Sequence, residues 1–216
     1  MNSRQTIGLI LLLLCTTCMM AQTDSVPTQD KKKQVYQATT IRVDLLNPAY
    51  ELIRSGGHTY SVEVAANVRL LNRLFPTLEL GYAGGFQQEE SSTPIYNGQG
   101  EFMRIGLDIN PLKKRPEALS YMTVGLRAGA AMQHLSTPTL LATSPKGETI
   151  ADAWGEVVAG VHVNIVKGFN MGWAVRMKFL FTANSHSATT TPYYIPGFGL
   201  YDTMQWGFNY YIGYTF

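Results

Sequence analysis

Cysteine is scarce in this chain, and its placement is informative. Both cysteines, Cys15 and Cys18, fall within the first 21 residues. A chain cleaved after that stretch carries no thiol. That excludes a disulfide scaffold, a thiolate metal site and a cysteine nucleophile from the mature protein. Charge is sparse as well: Asp, Glu, Lys and Arg make up 15% of the residues, against roughly 25% in soluble domains. The formal net charge of +2 is too small to attract nucleic acid. Long apolar runs are missing. The best candidate, Ile7 to Leu14, is far shorter than the ~20 residues a helix needs to cross a bilayer. An α-helical membrane protein is therefore excluded. A transmembrane β-barrel is not, because only every second residue of its strands must be apolar.

What the sequence does contain begins with a targeting segment. Arg4 gives a charged start, Ile7 to Leu14 an apolar centre, and Ala21 a small residue at the expected cleavage point. Residues 1–21 read as a secretory signal peptide. Leu14 precedes Cys15 and Thr17 precedes Cys18, and neither context suits a lipidation site. Residues 22–37 are polar and without periodicity, as in a flexible periplasmic leader. Lys31, Lys32 and Lys33 within it fit a solvated linker, with anionic lipid as the sharper alternative. About 195 residues would remain after cleavage, the size of one ordinary domain.

From residue 38 to residue 216 the dominant signal is alternation with a period of two, the mark of strands with two unlike faces. Eight segments show it. Met103, Ile105, Leu107 and Ile109 alternate with Arg104, Gly106, Asp108 and Asn110. Val157, Ala159, Val161, Val163 and Ile165 alternate with Glu156, Gly160, His162 and Asn164. Met204, Trp206, Phe208, Tyr210, Ile212, Tyr214 and Phe216 form one face of the last strand. Each segment runs about nine residues or more, enough for a tilted strand to cross hydrocarbon; soluble strands average roughly five or six. Short connections near 72–76, 111–118 and 166–170 alternate with longer ones at 47–58, 88–99, 134–152 and 183–202. Short turns at one end and long loops at the other mark an up-and-down barrel in an outer membrane.

One face is apolar through the middle of every strand and should meet lipid. The other carries Arg42, Asp44, Glu63, Arg69, Glu79, Arg104, Asp108, Arg127, Glu156, His162, Arg176 and Lys178. Side chains fill the interior of an eight-stranded barrel, so these charges should pair with one another. The near balance of signs predicts a closed lumen rather than an open pore. Inward glycines and alanines should make room for the arginines.

Catalytic signals are weak. His162 reads as a hydrogen-bonded structural residue. His58, His134 and His186 lie in or beside long loops without metal-ligand spacing. His186 and Ser187 are adjacent, which suits a general base and nucleophile poorly, and no acid accompanies them. The sequence offers no catalytic, cofactor-binding or metal residue.

The motifs Arg42-Val43-Asp44-Leu45-Leu46-Asn47, Glu79-Leu80-Gly81-Tyr82, Arg104-Ile105-Gly106-Leu107-Asp108-Ile109-Asn110 and Val124-Gly125-Leu126-Arg127-Ala128-Gly129 resemble a family of small outer-membrane β-barrels of unknown function from Bacteroidetes. The terminal Phe216 resembles the assembly signal of such barrels. The resemblance implies an outer-membrane location and assigns no activity. The expectation is an eight-stranded antiparallel up-and-down transmembrane β-barrel in the outer membrane. It would be a monomeric structural or interaction scaffold without enzymatic activity or cofactor. Its partners would be outer-membrane lipids and, during biogenesis, the barrel-assembly machinery, with any extracellular partner unspecified. The alternatives are a lipid-modifying barrel enzyme, a narrow channel, and a soluble periplasmic barrel with its faces inverted.

Overall fold

The computed structural model describes residues 35–54, 59–87, 96–112, 120–136, 148–182 and 194–216. Residues 1–34, with the segment read as a signal peptide and Lys31, Lys32 and Lys33, and His58, His186 and Ser187 lie outside the described residues. The strands are β1 (Tyr36–Asp44), β2 (Thr59–Leu70), β3 (Leu74–Gln87), β4 (Tyr96–Ile109), β5 (Tyr121–Ser136), β6 (Glu148–Val166), β7 (Phe169–Leu180), β8 (Tyr194–Ile195), β9 (Gly199–Leu200) and β10 (Met204–Thr215). One helix, α1 (Leu46–Arg54), follows β1.

Eight of the strands close a barrel in the order β1-β10-β7-β6-β5-β4-β3-β2, and β8 and β9 form a separate small hairpin. Every neighbouring pair in the barrel is antiparallel. This is the expected up-and-down architecture. The β2–β3 turn places Leu71 and Asn72 at positive φ, and Arg73 N donates to Leu70 O at 3.0 Å. That is the two-residue hairpin geometry whose twist matches the flanking strands. The β6–β7 turn uses Gly168 at φ +81°, a conformation that suits a residue without Cβ. Pro76 was expected in the first turn and instead lies inside β3. The β2–β3 pairing lapses between Thr77↔Asn67 and Leu70↔Leu74, so the missing proline N–H breaks no ladder bond there.

The two faces divide as the alternation predicts. Ile41, Val62, Leu80, Ile105, Leu126, Val157 and Trp206 are exposed, and Val161 and Phe208 half-buried, on the outside. Arg42, Asp44, Glu63, Glu79, Arg104, Asp108, Arg127, Glu156, His162, Arg176 and Lys178 are buried within. An apolar exterior around an ionic interior inverts the distribution of a water-soluble protein. Lipid is the solvent that favours it. Among the described residues no helix is long and apolar enough to cross a membrane, which leaves open a crossing by strands.

Three features depart from the sequence reading. β1 begins at Tyr36, inside the stretch read as leader. Part of the connection at 47–58 is helical. β5 and β6 run to Ser136 and from Glu148, well into the expected loop at 134–152. The extra length escaped notice because the inward residues there are mixed: Ala131, Ile150 and Trp154 are buried beside Gln133 and Asp152, while the apolar Ala151 and Ala153 alternate with inward positions. The contrast between faces weakens where the interior itself turns partly apolar.

Leu126, two-thirds exposed in the middle of β5, tests the outward band. Leu126→Lys should lower the unfolding free energy in lipid vesicles by about 2–4 kcal/mol, read from urea titrations. An unchanged midpoint would contradict a lipid-facing position.

Candidate functional site

Strand pleating aims the charged residues of β1 to β7 into one narrow space, and glycine creates room for them. A Cβ on Gly106 would strike the Arg127 side chain, and one on Gly207 would stand 2.9 Å from Lys178 Cε. Gly81, Gly129 and Gly172 similarly clear space for Phe102, Trp154 and Tyr211. The small inward residues thus serve aromatic rings as well as the expected arginines.

The lumen has three layers. The layer nearest the short turns is aromatic. Phe75 stacks on Tyr121 at 4.7 Å, and Tyr121 on His162 at 4.6 Å. The guanidinium of Arg42 lies 4.5 Å from the centre of the Tyr211 ring, and that of Arg69 lies 5.4 Å from Tyr121. Tyr211 donates its hydroxyl to Val161 O at 3.0 Å. His162 is a ring in an aromatic stack, but its buried Nδ1 has no hydrogen-bond partner among the described residues, so the expected hydrogen bond is not seen at that atom.

The middle layer is ionic. Glu79 is fully buried and meets four arginines: Arg176 at 2.8 Å, Arg104 at 2.9 Å, Arg127 at 3.4 Å and Arg42 at 3.9 Å. Arg127 also grips both oxygens of Asp108, at 2.6 and 2.7 Å. Glu156 accepts from Arg176 at 2.9 Å and from the Trp154 indole at 2.7 Å. Glu63 pairs with Arg104 and lies 3.6 Å from Arg176. Eight of the eleven inward charges picked out in the sequence join this network of ion pairs; Asp44, Arg69 and Lys178 have their contacts elsewhere. A cavity of about 20 Å³ remains beside Arg42, Glu79 and Arg176, room for about one water.

The layer nearest the long connections is apolar and was not foreseen. Ile195 and Phe198, from the small hairpin, are fully buried against Phe102, Trp154, Leu180, Ala83 and Ala131. Pro196 and Gly197 form the tip: Gly197 has φ +75° and Phe198 N donates to Ile195 O at 3.0 Å, the type II turn this dipeptide favours. The ionic layer holds the tip from below. Lys178 Nζ donates to Gly197 O at 2.7 Å and Phe198 O at 3.0 Å, and Arg104 donates to Gly197 O at 3.3 Å. A connection read as a surface loop therefore plugs the barrel. Proline, glycine and phenylalanine in sequence were its only visible sign.

Asp44 organises the wall nearby. It ends β1 and accepts from Leu46 N at 3.2 Å and Asn47 N at 3.3 Å, capping α1. It also accepts from Asn209 Nδ2 at 2.9 Å and Tyr210 N at 3.1 Å on β10. Leu46, Tyr50 and Ile53 occupy one side of α1 and are exposed, Ile53 at 81%, a stripe suited to a membrane interface. His134 lies on β5, exposed, with Nδ1 2.8 Å from Thr149 Oγ1. Among the described residues no group of His, Cys, Asp and Glu is arranged to hold a metal ion.

Removing the hub should leave several buried guanidinium groups without their partner. Glu79→Ala should cost roughly 3–5 kcal/mol of unfolding free energy, measured by denaturation in detergent or vesicles. A loss under about 1 kcal/mol would contradict the role of Glu79 as the centre of the network. Phe198→Ala should leave the barrel intact while making the Tyr194–Leu200 hairpin sensitive to added protease; persistent protection would contradict anchoring by Phe198.

The solved structures similar to this chain include two at low identity. Both are of Ail, the attachment invasion locus protein of Yersinia pestis, one of them in complex with the heparin analogue sucrose octasulfate. The complex is 10% identical, covers 83% of this chain and 98% of Ail, and gives a TM-score of 0.46. The other is 11% identical with the same coverage and a TM-score of 0.42. No curated protein matches the chain. The model of a domain of unknown function, DUF6048, matches residues 3–216, and the chain belongs to that family.

Proposed function

We propose that the chain is a non-enzymatic scaffold of the bacterial outer membrane, a monomeric barrel that holds its longer connections at the cell surface for contact with envelope components or outside partners. The observation that carries this reading is the union of an apolar exterior with a filled, self-neutralising lumen. The exterior supports residence in lipid. The filled lumen supports a barrel that does not conduct, since its ionic layer leaves space for about one water. The short turns belong on the periplasmic side and the α1 and plug end outside, as in barrels with this asymmetry of connections. Residues 1–21 would direct export, and the barrel-insertion machinery would complete assembly. The Bacteroidetes origin suggested by the strand motifs is part of the same proposal.

Fractionation and conductance together test it. The protein should sediment with the outer membrane and leave it only in detergent, and planar bilayers containing it should show no discrete conductance steps. Release into a detergent-free periplasmic extract would overturn the membrane reading, and stable steps would favour a channel. Altered lipid A in cells expressing the native chain, abolished by His186→Ala or Ser187→Ala, would favour a lipid-modifying enzyme.

A further inference from the structure

The barrel wall has a notch. β1 stops at Asp44, opposite Tyr211 of β10, and its last partner on β2 is Val64. Beyond those residues β2 continues to Thr59 and β10 to Met204. On the sides facing β1, no strand pairs with these extensions among the described residues. α1 crosses this gap, with neighbours on both β2 and β10. Beneath it lies a cleft of about 400 Å³, within the ~300–1,000 Å³ range of small-molecule sites.

The lining of this cleft is unusual for a barrel. Gln205 and Gly207 face inward on β10, while Trp206 and Phe208 face outward, yet all four line the same space. One cavity can touch both faces of a strand only around an open edge. The cleft therefore joins the lumen to the lipid side of the wall. Its inner end holds Lys178 together with Arg104 and Glu63, which pair with each other, and α1 adds Glu51 to the lining. Lys178 is buried, and no carboxylate lies within 4.0 Å of its ammonium among the described residues, whereas Arg42, Arg104, Arg127 and Arg176 each have one. Two of its ammonium protons go to the plug carbonyls; an ammonium has three. The outer end holds Trp206, Phe208 and Tyr50.

We propose that the notch is a lateral binding site for one amphiphile drawn from the surrounding leaflet. Its anionic headgroup, a carboxylate or phosphate, meets Lys178, and its acyl chain leaves through the gap across Trp206 and Phe208. The inference rests on the membrane placement proposed above and goes beyond it by giving the barrel a ligand class. With Glu63 taken up by Arg104, Lys178 is left as the cation of the closed end without an ion pair among the described residues, and the aromatic side chains at the lipid end match the other half of such a molecule.

The test uses the intact barrel, purified in detergent, with sodium oleate as the probe and native mass spectrometry as the readout. One oleate should be retained per chain. Gly207→Leu fills the cleft from within and Trp206→Ala removes its outer wall; each should weaken retention roughly tenfold. Val124→Ala, on the exterior of β5, should leave retention unchanged. A large excess of inorganic phosphate should not displace oleate, because the headgroup alone lacks the acyl contact. Equal retention in wild type, Gly207→Leu and Trp206→Ala would overturn the site, as would displacement by phosphate alone. Should Gly207→Leu fail to fold, Trp206→Ala, at an exposed position, decides. Flotation with phospholipid vesicles separates the two proposals. A barrel that floats but retains no oleate loses the amphiphile site and keeps the scaffold reading; a barrel that does not float loses both.

Discussion

Glu79 lies fully buried with four guanidinium groups 2.8 to 3.9 Å from its carboxylate, and much of the molecule follows from that arrangement. Burying a carboxylate costs several kcal/mol unless close, well-aligned charges offset it. Here the offset comes from four strands, β1, β4, β5 and β7, converging on one residue of β3. Each arginine then needs further acceptors. Arg127 takes Asp108, Arg176 takes Glu156 and Asn209, and Arg104 takes Glu63. The network extends until its charges nearly cancel. Its members come from strands far apart in sequence, so it fixes the barrel's closure and register together.

The same constraint shapes the two ends. Cations at the lower edge of the network rest on the aromatic faces of Tyr211 and Tyr121, where a desolvated cation–π contact contributes about 2 kcal/mol. Cations at the upper edge, Lys178 and Arg104, bind the carbonyls of the Pro196-Gly197 turn. The plug is thus held by ionic side chains that the wall already supplies, while Phe198 and Ile195 add apolar burial above them. Asp44 belongs to this logic as well. Its carboxylate is spent on the α1 cap and on β10, which stops β1 early and leaves the notch in the upper wall.

The barrel itself was legible because the period-two contrast between faces is strong wherever the lumen is ionic and the exterior greasy. Arg104, Ile105 and Asp108 illustrate it: their types alone assign their faces. The same rule lost the upper parts of β5 and β6, because inward Trp154 and Ile150 are apolar and interrupt the polar inward positions Gln133 and Asp152. It also lost Tyr211. An aromatic inward residue on a strand rich in outward aromatics gives no contrast to read. α1 was missed for another reason. Leu46, Tyr50 and Ile53 follow a helical spacing, but the stretch is short and begins beside a strand of different period. Beyond the Pro196-Gly197 turn signal the plug could not be read, since nothing local to Ile195 or Phe198 says that the groups binding their turn come from β4 and β7. The ionic residues of the candidate site were visible one by one; their partners were not, because pairing depends on register between distant strands.

Spin labels on β4 test the inside-out arrangement most directly. Cysteine placed singly at Met103, Ile105 and Leu107, in a chain with Cys15→Ser and Cys18→Ser, gives three outward sites flanking Arg104 and Gly106. In vesicles, all three labels should collide readily with oxygen, which concentrates in lipid, and weakly with a water-soluble nickel chelate. Strong relaxation by the chelate at Ile105, with oxygen excluded, would mean that this face meets water or a packed core, and would contradict the account.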